Sequence, residues 1–382
     1  MIATVNGVPF IDKLREPHGG KTWVVLCASG SGWENYGMEA DVYHAYQVVR
    51  KHGIPAENII VMAFDFIAHS DLNPTPGVVI NRINGTDVYK TPYEVPINYK
   101  EFDVTPEQFL GLISGNETLE KAGKKVVKSG PNDRIFVFLD GHGGDEVVEF
   151  PRDMLYAKDL NNVLIEMHKQ NKFAQLVFYL TACESGSVFA KLLPNDINVY
   201  AVTATAPGEL GWKAEHDHGK YDTWLATYFP TQWLYDTEHN DLTNEPLSTQ
   251  YKYIKEHNNF TMDGIQHFQH AQQYVTELEG LLSRRKLMDK QIEEYVNELP
   301  AIDANIALNG KLELNNRDCY KKLVDTFNER CYLFSKNSYA FYKLSVFRNI
   351  CEQMRDSSDA DIAVNRLIQH CNANAKPIDS IV

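Results

Sequence analysis

The stretch "VFYLTACESGS", residues 177–187, decides the fold class. Five of its first six residues are apolar or aromatic. They lead into Cys183, after which the chain becomes small and polar. An uninterrupted apolar run of this kind is typical of a strand buried on both faces of a parallel sheet. The thiol therefore stands where a strand ends, and the carboxyl ends of strands are where such sheets bind their ligands.

Similar strands alternate with amphipathic helices through the first two thirds of the chain. The other predicted strands are residues 21–29, 58–67, 134–144 and 197–206, and the predicted helices are 40–54, 105–115 and 157–170. Helix 105–115 should have Thr105 as its N-cap and Pro106 at its first position. This alternation predicts an α/β fold with a mainly parallel sheet that is covered by helices.

The last third has a different pattern. Residues 265–299 predict a long helix that ends at Pro300, and residues 311–382 predict a compact helical unit. This unit holds four of the six cysteines: Cys319, Cys331, Cys351 and Cys371. Two disulfides in an oxidising compartment are the favoured interpretation. A zinc site is the alternative, but the sequence spacings of 12, 20 and 20 include no Cys-x2-Cys pair.

Composition excludes several classes of protein. With 43% hydrophobic and 23% charged residues, the 382-residue chain has the composition of a globular protein. Its net charge of −14 argues against a nucleic-acid partner, and no apolar run approaches the roughly 20 residues that span a bilayer. Residues 311–382 carry 11 Lys and Arg against 9 Asp and Glu, a net of +2, which leaves −16 on residues 1–310.

Three sequons indicate passage through the secretory route. They are Asn84 in "NGT", Asn116 in "NET" and Asn259 in "NFT". The opening residues, "MIATVNGVPFIDK", contain neither the basic nor the apolar region of a signal peptide. A leader is therefore either absent or precedes this sequence.

A second strand end carries the group that a cysteine nucleophile needs. The predicted strand 134–144 ends in "GHGG", with His142. If the two strands are parallel neighbours, an imidazole lies beside the thiol and can take its proton to favour thiolate. The N–H groups of Gly143 and Cys183 would then face the oxyanion that forms on a scissile carbonyl. Alone, a strand-end cysteine or a histidine in a turn is usually structural, but the two together favour catalysis.

Other candidate sites are weaker. Cys27 follows an apolar run but has no histidine motif near it, so it is predicted as a core residue. "HDH" at 216–218 is interpreted as a solvated loop, and "DGHGG" lacks the lysine of a phosphate-binding loop. We therefore predict no metal and no cofactor.

These motifs resemble those of the legumains (asparaginyl endopeptidases), cysteine peptidases of caspase-like fold. The resembling segments, in family order, are "WENYG" (33–37), "HAYQVVRKHGIP" (44–55), "NPTPGVVINRINGTDVY" (73–89), "DVTPEQFL" (103–110), "GHGG" (141–144), "ACESGS" (182–187), "SYAFYKLSVFRNICE" (338–352) and "HC" (370–371). The resemblance implies Cys183 as nucleophile, His142 as general base and Asn35 as the residue that orients the imidazole. Peptides and proteins are the implied substrates.

The resemblance also implies a zymogen. Residues 1–20 are then a tail, 21–262 the caspase-like catalytic domain, 263–310 an activation peptide and 311–382 a helical prodomain that caps the active site and inhibits it. The implied disulfides join Cys319 to Cys351 and Cys331 to Cys371. Because protonation of body carboxylates would weaken their attraction to cap Lys and Arg, we expect activation in acid. A lysosomal, vacuolar or secreted location follows.

The chain departs from the family at the substrate pocket. Gly37, Thr181 and Thr227 stand where the alignment expects the Arg, Glu and Asp of an asparagine-binding pocket. Its other pocket positions hold Met38, Leu210 and Gly211. The predicted pocket is wider and more neutral, so the asparagine preference is in doubt. Gly141 replaces the Asp that many legumains carry before the catalytic histidine, which argues against peptide ligation.

Two other functions compete with an endopeptidase zymogen. A GPI-anchor transamidase subunit also carries "GHGG", but it should have a membrane segment and no four-cysteine cap. A catalytically weak or dead legumain scaffold, which would act as a protease-binding or surface interaction protein, is favoured by the lost pocket charges. The intact Cys183, His142 and Asn35 disfavour it.

Overall fold

A computed structural model of the protein describes residues 4–5, 20–240, 247–257, 271–300, 302–354 and 357–374. The chain divides into two units, Met1–Phe260 and Thr261–Val382. The segments predicted as an activation peptide and a cap, 263–310 and 311–382, both fall in the second unit.

The first unit is built on a seven-stranded sheet in the order β1-β10-β9-β5-β2-β3-β4. From β10 to β4 in this order, each strand is parallel to its neighbour. Strand β1 pairs antiparallel with β10 at the edge, so two residues of the predicted tail lie in the sheet. Two small sheets, β6-β7-β8 and β11-β12, accompany it. The strands are β1 (Thr4–Val5), β2 (Thr22–Ala28), β3 (Ile59–Met62), β4 (Ile97–Tyr99), β5 (Arg134–Asp140), β6 (Gly143–Gly144), β7 (Val147–Glu149), β8 (Met154–Tyr156), β9 (Gln175–Thr181), β10 (Val199–Thr203), β11 (Lys213–Asp217) and β12 (Thr223–Thr227).

Helices cover the sheet because the central strands are apolar on both faces. In β2, Val24 and Leu26 belong to one core cluster, whereas Val25 and Cys27 belong to the other. The alternation of side chains along a strand therefore supplies two cores at once. The helices of this unit are α1 (Tyr36–Lys51), α2 (Pro106–Ser114), α3 (Glu117–Lys121), α4 (Ala157–Lys169), α5 (Tyr228–His239) and α6 (Leu247–His257). The predicted α/β class is confirmed.

Local capping follows the sequence closely at α2. The Thr105 hydroxyl accepts the Gln108 N–H at 3.2 Å, and Pro106 occupies the first turn, as predicted. Gly115 ends the helix in the left-handed conformation, with φ at 68°.

The described part of the second unit is helical. Its helices are α7 (Ala271–Asn297), α8 (Ala304–Asn309), α9 (Arg317–Arg330), α10 (Leu344–Gln353) and α11 (Ser357–Asn374). Disulfides join Cys319 to Cys351 and Cys331 to Cys371, the pairing that the resemblance implied. The end of α7 packs against these helices, since Tyr295 is fully buried and its hydroxyl donates to the Ala363 carbonyl at 3.1 Å.

Candidate active site

The register of two neighbouring strands brings His142 and Cys183 to the same edge of the sheet. Strands β5 and β9 are parallel, and Asp140 lies opposite Thr181. His142 and Cys183 each follow two residues later. A Cβ placed on Gly143 would lie 3.0 Å from the Cys183 carbonyl oxygen, which shows how closely the two strand ends approach. The apolar runs of the sequence are thus sufficient to align the two groups.

Asn35 holds the imidazole through a hydrogen bond whose direction can be assigned. Its Nδ2 donates to the Ser31 carbonyl at 2.9 Å, which turns Oδ1 toward His142 Nε2 at 2.8 Å. An amide oxygen only accepts, so Nε2 carries the proton and Nδ1 keeps its lone pair. Asn35 is buried; it is the last residue of a short 3₁₀ helix and directly precedes α1. This tautomer leaves Nδ1 as the basic nitrogen.

The resting site favours neutral groups. Burial lowers the pKa of His142 to about 3, and the nearby charge of Lys213 contributes. Burial also raises the pKa of Cys183; the Gly211 N–H, which donates to Sγ at 3.3 Å, opposes this, and the charge of Glu184 adds to it. Both pKa shifts favour the neutral forms of the two groups, a thiol and an uncharged imidazole.

Glycine at 143 is required by close packing. A Cβ there would lie 2.9 Å from Ala182 Cβ and 2.9 Å from the Val147 carbonyl oxygen, in addition to its approach to Cys183. The backbones of Gly143 and Cys183, predicted to supply the oxyanion donors, are consequently adjacent. Gly141 is similarly confined, since a Cβ there would lie 2.0 Å from Ser29 Oγ.

A pocket of about 340 Å³ adjoins the candidate nucleophile. Three of the predicted pocket residues line it: Thr181, Leu210 and Gly211. No motif in the sequence points to its other lining residues, which are Ala204, Thr205, Glu209, Trp212, Tyr228 and Phe229. The turn sequence "APGE" (206–209) was the available signal for a structured loop here.

The remaining predicted pocket residues lie elsewhere. Gly37 packs against β12, where a Cβ would come within 2.8 Å of the Ala226 carbonyl carbon. Met38 belongs to the core and is 3% exposed. Thr227 is buried, and its hydroxyl lies 2.7 Å from Asp41 Oδ2. The side chains of Met38 and Thr227 are therefore directed into the protein, and Gly37, which has no side chain, packs its backbone against β12.

Asp41, Thr227 and Asp140 form a buried chain that sequence reasoning did not anticipate. Thr227 Oγ1 donates to Asp41 Oδ2, and it lies 3.1 Å from Asp140 Oδ2. A hydroxyl has one proton and can donate to only one carboxyl group at a time, and Asp140 also bonds directly to Asp41, so the cluster needs a proton on a carboxyl group. Burial, followed by the neighbouring charge of Asp41, raises the pKa of Asp140 well above its usual value, which agrees with a protonated carboxyl. The chain joins β5, β12 and α1 beneath the site.

Two of the sequons lie on the surface, and of the two histidines at 216–218 only His218 is exposed. Asn84 and Asn116 are exposed, and Asn116 Oδ1 also caps α3 by accepting the Thr118 N–H at 2.8 Å. Asn259 lies outside the described residues. His216 and His218 have ring centroids 4.0 Å apart. His216 lies in β11 rather than in the loop that was predicted.

Over the described ranges, no cluster of His, Cys, Asp and Glu could hold a metal ion. A search of the same ranges found no helix with the length and apolarity needed to cross a bilayer.

Comparison with known proteins identifies the family. The model of the peptidase C13 family matches residues 22–281, and that of the legumain prodomain matches residues 276–368. Legumain from Rattus norvegicus is 35% identical over 88% of this chain and 89% of its own length. Vacuolar-processing enzyme from Vicia sativa is 43% identical over 61% of this chain and 48% of its own length. Caspase-1 from Spodoptera frugiperda has a TM-score of 0.38 and 11% identity, over 64% of this chain and 79% of that chain.

These comparisons give no support to the transamidase or to the non-catalytic scaffold. The matched family covers the strand ends that carry Cys183 and His142, and the matched prodomain covers three of the four disulfide cysteines and ends three residues before Cys371. The chain belongs to the peptidase C13 family, the legumains, and is a cysteine endopeptidase of that type.

Proposed function

We propose that Cys183 is the nucleophile of this peptidase and that His142 Nδ1 is its base. The thiol proton passes to Nδ1 as Sγ bonds to the scissile carbonyl carbon. The C–N bond then breaks, and the imidazolium returns the proton to the leaving amine. Water, deprotonated by His142, releases the acid product from the thioester and restores the thiol. The observation that carries this proposal is the paired strand ends, with the Asn35 bond fixing the tautomer.

The backbone N–H groups of Gly143 and Cys183 are the proposed oxyanion donors. The close approach of the two backbones supports this assignment, since a Cβ on Gly143 would lie 3.0 Å from the Cys183 carbonyl oxygen. Each donor of this kind is worth about 3–4 kcal/mol of activation free energy. The neutral resting pair is compatible with the mechanism, because His142 has to accept a proton only when the thiol attacks.

Thiol labelling tests the assignment. An active-site-directed thiol reagent should modify the acid-treated full chain at Cys183 and abolish peptide cleavage. Cys183→Ala should be neither labelled nor active. Cys27→Ala removes the fully buried free thiol of β2, and this variant should still be labelled and still cleave peptides. Cleavage that survives in Cys183→Ala would refute the proposal.

We also propose that the prodomain keeps the chain a zymogen until acid releases it. The net charge of −16 on residues 1–310 and +2 on residues 311–382 supports an electrostatic contribution. Carboxylates paired with Lys and Arg have lowered pKa values, so this stabilisation is present near neutral pH and is lost as pH falls through those values.

Release can be followed by activity and by fragment size. At about pH 4, the full chain should lose its prodomain and gain cleavage activity. High salt should promote release near neutral pH because it screens exposed charges. A prodomain that stays bound and inhibitory in acid would contradict this part of the proposal.

We also propose a lysosomal, vacuolar or secreted location, which the disulfides, the sequons and one relative support. The two disulfides indicate an oxidising compartment, and the exposed Asn84 and Asn116 sequons are accessible for glycosylation. The relative from Vicia sativa is named a vacuolar-processing enzyme. The secretory route can be tested by expression in a secreting cell and digestion of the product with a glycosidase. A loss of mass at either sequon would show that the chain was glycosylated, which happens only on that route.

A further inference from the structure

The pocket beside Cys183 has a mainly apolar and aromatic lining. Six of its nine described lining residues are aliphatic, aromatic or glycine: Ala204, Leu210, Gly211, Trp212, Tyr228 and Phe229. The other three are Thr181, Thr205 and Glu209. What these three offer a ligand decides whether the pocket suits a polar or an apolar side chain.

The carboxylate of Glu209 is engaged by its own turn. Pro207 and Gly208 occupy the middle of this turn, with Gly208 at φ 77°, and the Glu209 N–H donates to the Ala206 carbonyl at 3.1 Å. The side chain folds back, and its Oε2 accepts the Ala206 N–H at 3.1 Å. A substrate would have to displace this partner before it could use the carboxylate.

The two threonine hydroxyls are engaged or covered. Thr205 Oγ1 donates to the Ala182 carbonyl at 3.1 Å and accepts the Ser185 N–H at 3.0 Å. Thr181 Oγ1 has no hydrogen-bond partner among the described residues, but the atom is buried from solvent. A side chain that enters the pocket therefore does not reach this oxygen without moving its neighbours.

The apolar walls, by contrast, are open to a ligand. Leu210 and Trp212 are 40% and 52% exposed, so apolar surface remains for a substrate to cover. The hydroxyl of Tyr228 donates to the His257 carbonyl at 2.6 Å, which occupies the polar end of that residue. The walls thus reward the burial of apolar surface more than the entry of a hydrogen-bonding group.

The loop that carries these walls is bonded to the candidate nucleophile and its neighbour. The Glu209 carbonyl accepts the Glu184 N–H at 2.7 Å, and the Gly211 N–H donates to Cys183 Sγ at 3.3 Å. A peptide attacked by Sγ therefore has its adjoining side chain within reach of this pocket.

We infer that this pocket binds a large apolar side chain, aliphatic or aromatic, in the substrate residue whose carbonyl Cys183 attacks. The inference rests on the proposed function, because it assigns the pocket to the residue next to that nucleophile. A volume of about 340 Å³ accommodates the side chain of leucine, methionine or phenylalanine. The side-chain amide of asparagine would give up its hydrogen bonds to water and find the polar side chains of these walls already engaged or covered.

The test uses the acid-treated full chain and peptides that differ only in the residue before the cleaved bond. Leucine and asparagine have side chains of nearly the same shape, so their comparison isolates polarity. The leucine peptide should have kcat/KM about 10- to 100-fold above that of the asparagine peptide. An alanine peptide should fall below the leucine peptide, because alanine leaves most of the pocket unfilled.

Variants of Leu210 test whether the walls cause this preference. Leu210→Ser removes exposed apolar surface and should lower the leucine-to-asparagine ratio about 3- to 10-fold, whereas Leu210→Met keeps the wall apolar and should preserve the ratio. Leu72→Ser is the matched control, since Leu72 is 62% exposed and is not among the lining residues. It should leave the ratio unchanged.

Equal or better cleavage of the asparagine peptide, or a ratio that survives in Leu210→Ser, would overturn the inference and leave the proposed function intact. Cleavage that persists in Cys183→Ala would instead overturn the proposed function. If no peptide is cleaved, acetyl-leucine amide should still slow alkylation of Cys183 more than acetyl-asparagine amide does. Equal effects of the two amides would also count against an apolar pocket.

Discussion

At the scale of single residues, Asn35 has the most specific role that the geometry supports. Its amide is oriented by one carbonyl and fixes one tautomer of His142. Removing the side chain in Asn35→Ala should lower kcat about 10- to 100-fold, because the imidazole loses its orientation. KM should change much less, since the pocket is not altered. Steady-state kinetics of the acid-treated chain provides the measurement.

The variant Asn35→Asp tests whether residue 35 acts on the His142 imidazole or only fills space in the core. The carboxylate keeps the acceptor but adds a negative charge, which raises the pKa of His142. A base must be neutral to accept a proton, so the acid limb of the kcat/KM profile should move to higher pH. An unmoved limb in an active variant would show that Asn35 does not act through the imidazole.

The ionisation of Cys183 gives a second prediction at this scale. Burial raises the pKa of its thiol, and burial lowers the pKa of His142 to about 3, so we expect the two groups to be uncharged at rest. Since only thiolate reacts, the alkylation rate in a Cys27→Ala background should rise about tenfold per pH unit across the neutral range. A plateau that begins in acid would indicate a resting thiolate–imidazolium pair instead.

At the scale of elements, the buried chain from Asp140 through Thr227 to Asp41 ties β5 and β12 to α1. Thr227→Val keeps the shape but removes the hydroxyl, which leaves two buried carboxyl groups without their common partner. We expect a loss of about 2–4 kcal/mol in the free energy of unfolding.

Thr227→Ser is the matched control because it retains the hydroxyl. It should lose no more than about 1.5 kcal/mol, the usual cost of a deleted buried methyl. Urea unfolding of both variants provides the comparison. Equal losses would mean that the methyl group, and not the hydrogen-bond chain, carries the stability.

The elements also show what the sequence could and could not predict. Apolar runs located β5 and β9, although the strand predicted over 134–144 runs past Asp140, where β5 ends, and the parallel register of the two strands brings His142 close to Cys183. The strand predicted over 58–67 was too long, because β3 ends at Met62. Farther on, the N–H groups of Phe66 and Ile67 donate to the buried Glu39 carboxylate. No local pattern reveals a partner 27 residues away.

The pocket was predicted less well for a related reason. A motif aligned along the chain assigns positions, but tertiary packing decides where each side chain points. The backbone of β12 fills the space beside Gly37, and Asp41 takes the Thr227 hydroxyl. Glu209 was not predicted as a lining residue because it reaches the pocket through a turn whose carbonyl accepts the Glu184 N–H, a contact between segments 25 residues apart.

At the scale of the whole molecule, buried carboxyl groups determine how stability changes with pH. Burial raises the pKa of Glu149 to about 8 and that of Glu39 to about 7. The charge of Glu34 raises the pKa of Glu149 further. Hydrogen bonds from Phe66 and Tyr43 to Glu39 act in the opposite direction and lower its pKa in part. Glu149 Oε2 has no hydrogen-bond partner among the described residues, so ionisation there would leave a buried charge uncompensated.

The direction of this pH dependence follows from the number of protons that the folded and unfolded states bind. A carboxyl whose pKa is raised by folding holds its proton in the folded state after the unfolded chain, with a pKa near 4.3, has lost it. The stability it contributes is complete in acid and is lost as pH rises toward 7 and 8. His142 acts oppositely, since its lowered pKa costs stability as pH falls below about 6.5. The carboxyl groups dominate the range from about pH 5 to 8.

We therefore expect the free energy of unfolding of residues 20–240 to fall between about pH 5 and pH 8. Glu149→Gln keeps the size of the side chain and removes its titration, so it should flatten this dependence by on the order of 3 kcal/mol. Glu166→Gln, at an exposed site, should leave the curve unchanged. Denaturant unfolding at several pH values measures the slope. A stability that is constant or rises toward pH 8 would show that these carboxyl groups ionise without cost, and that the buried surroundings of Glu149 admit water.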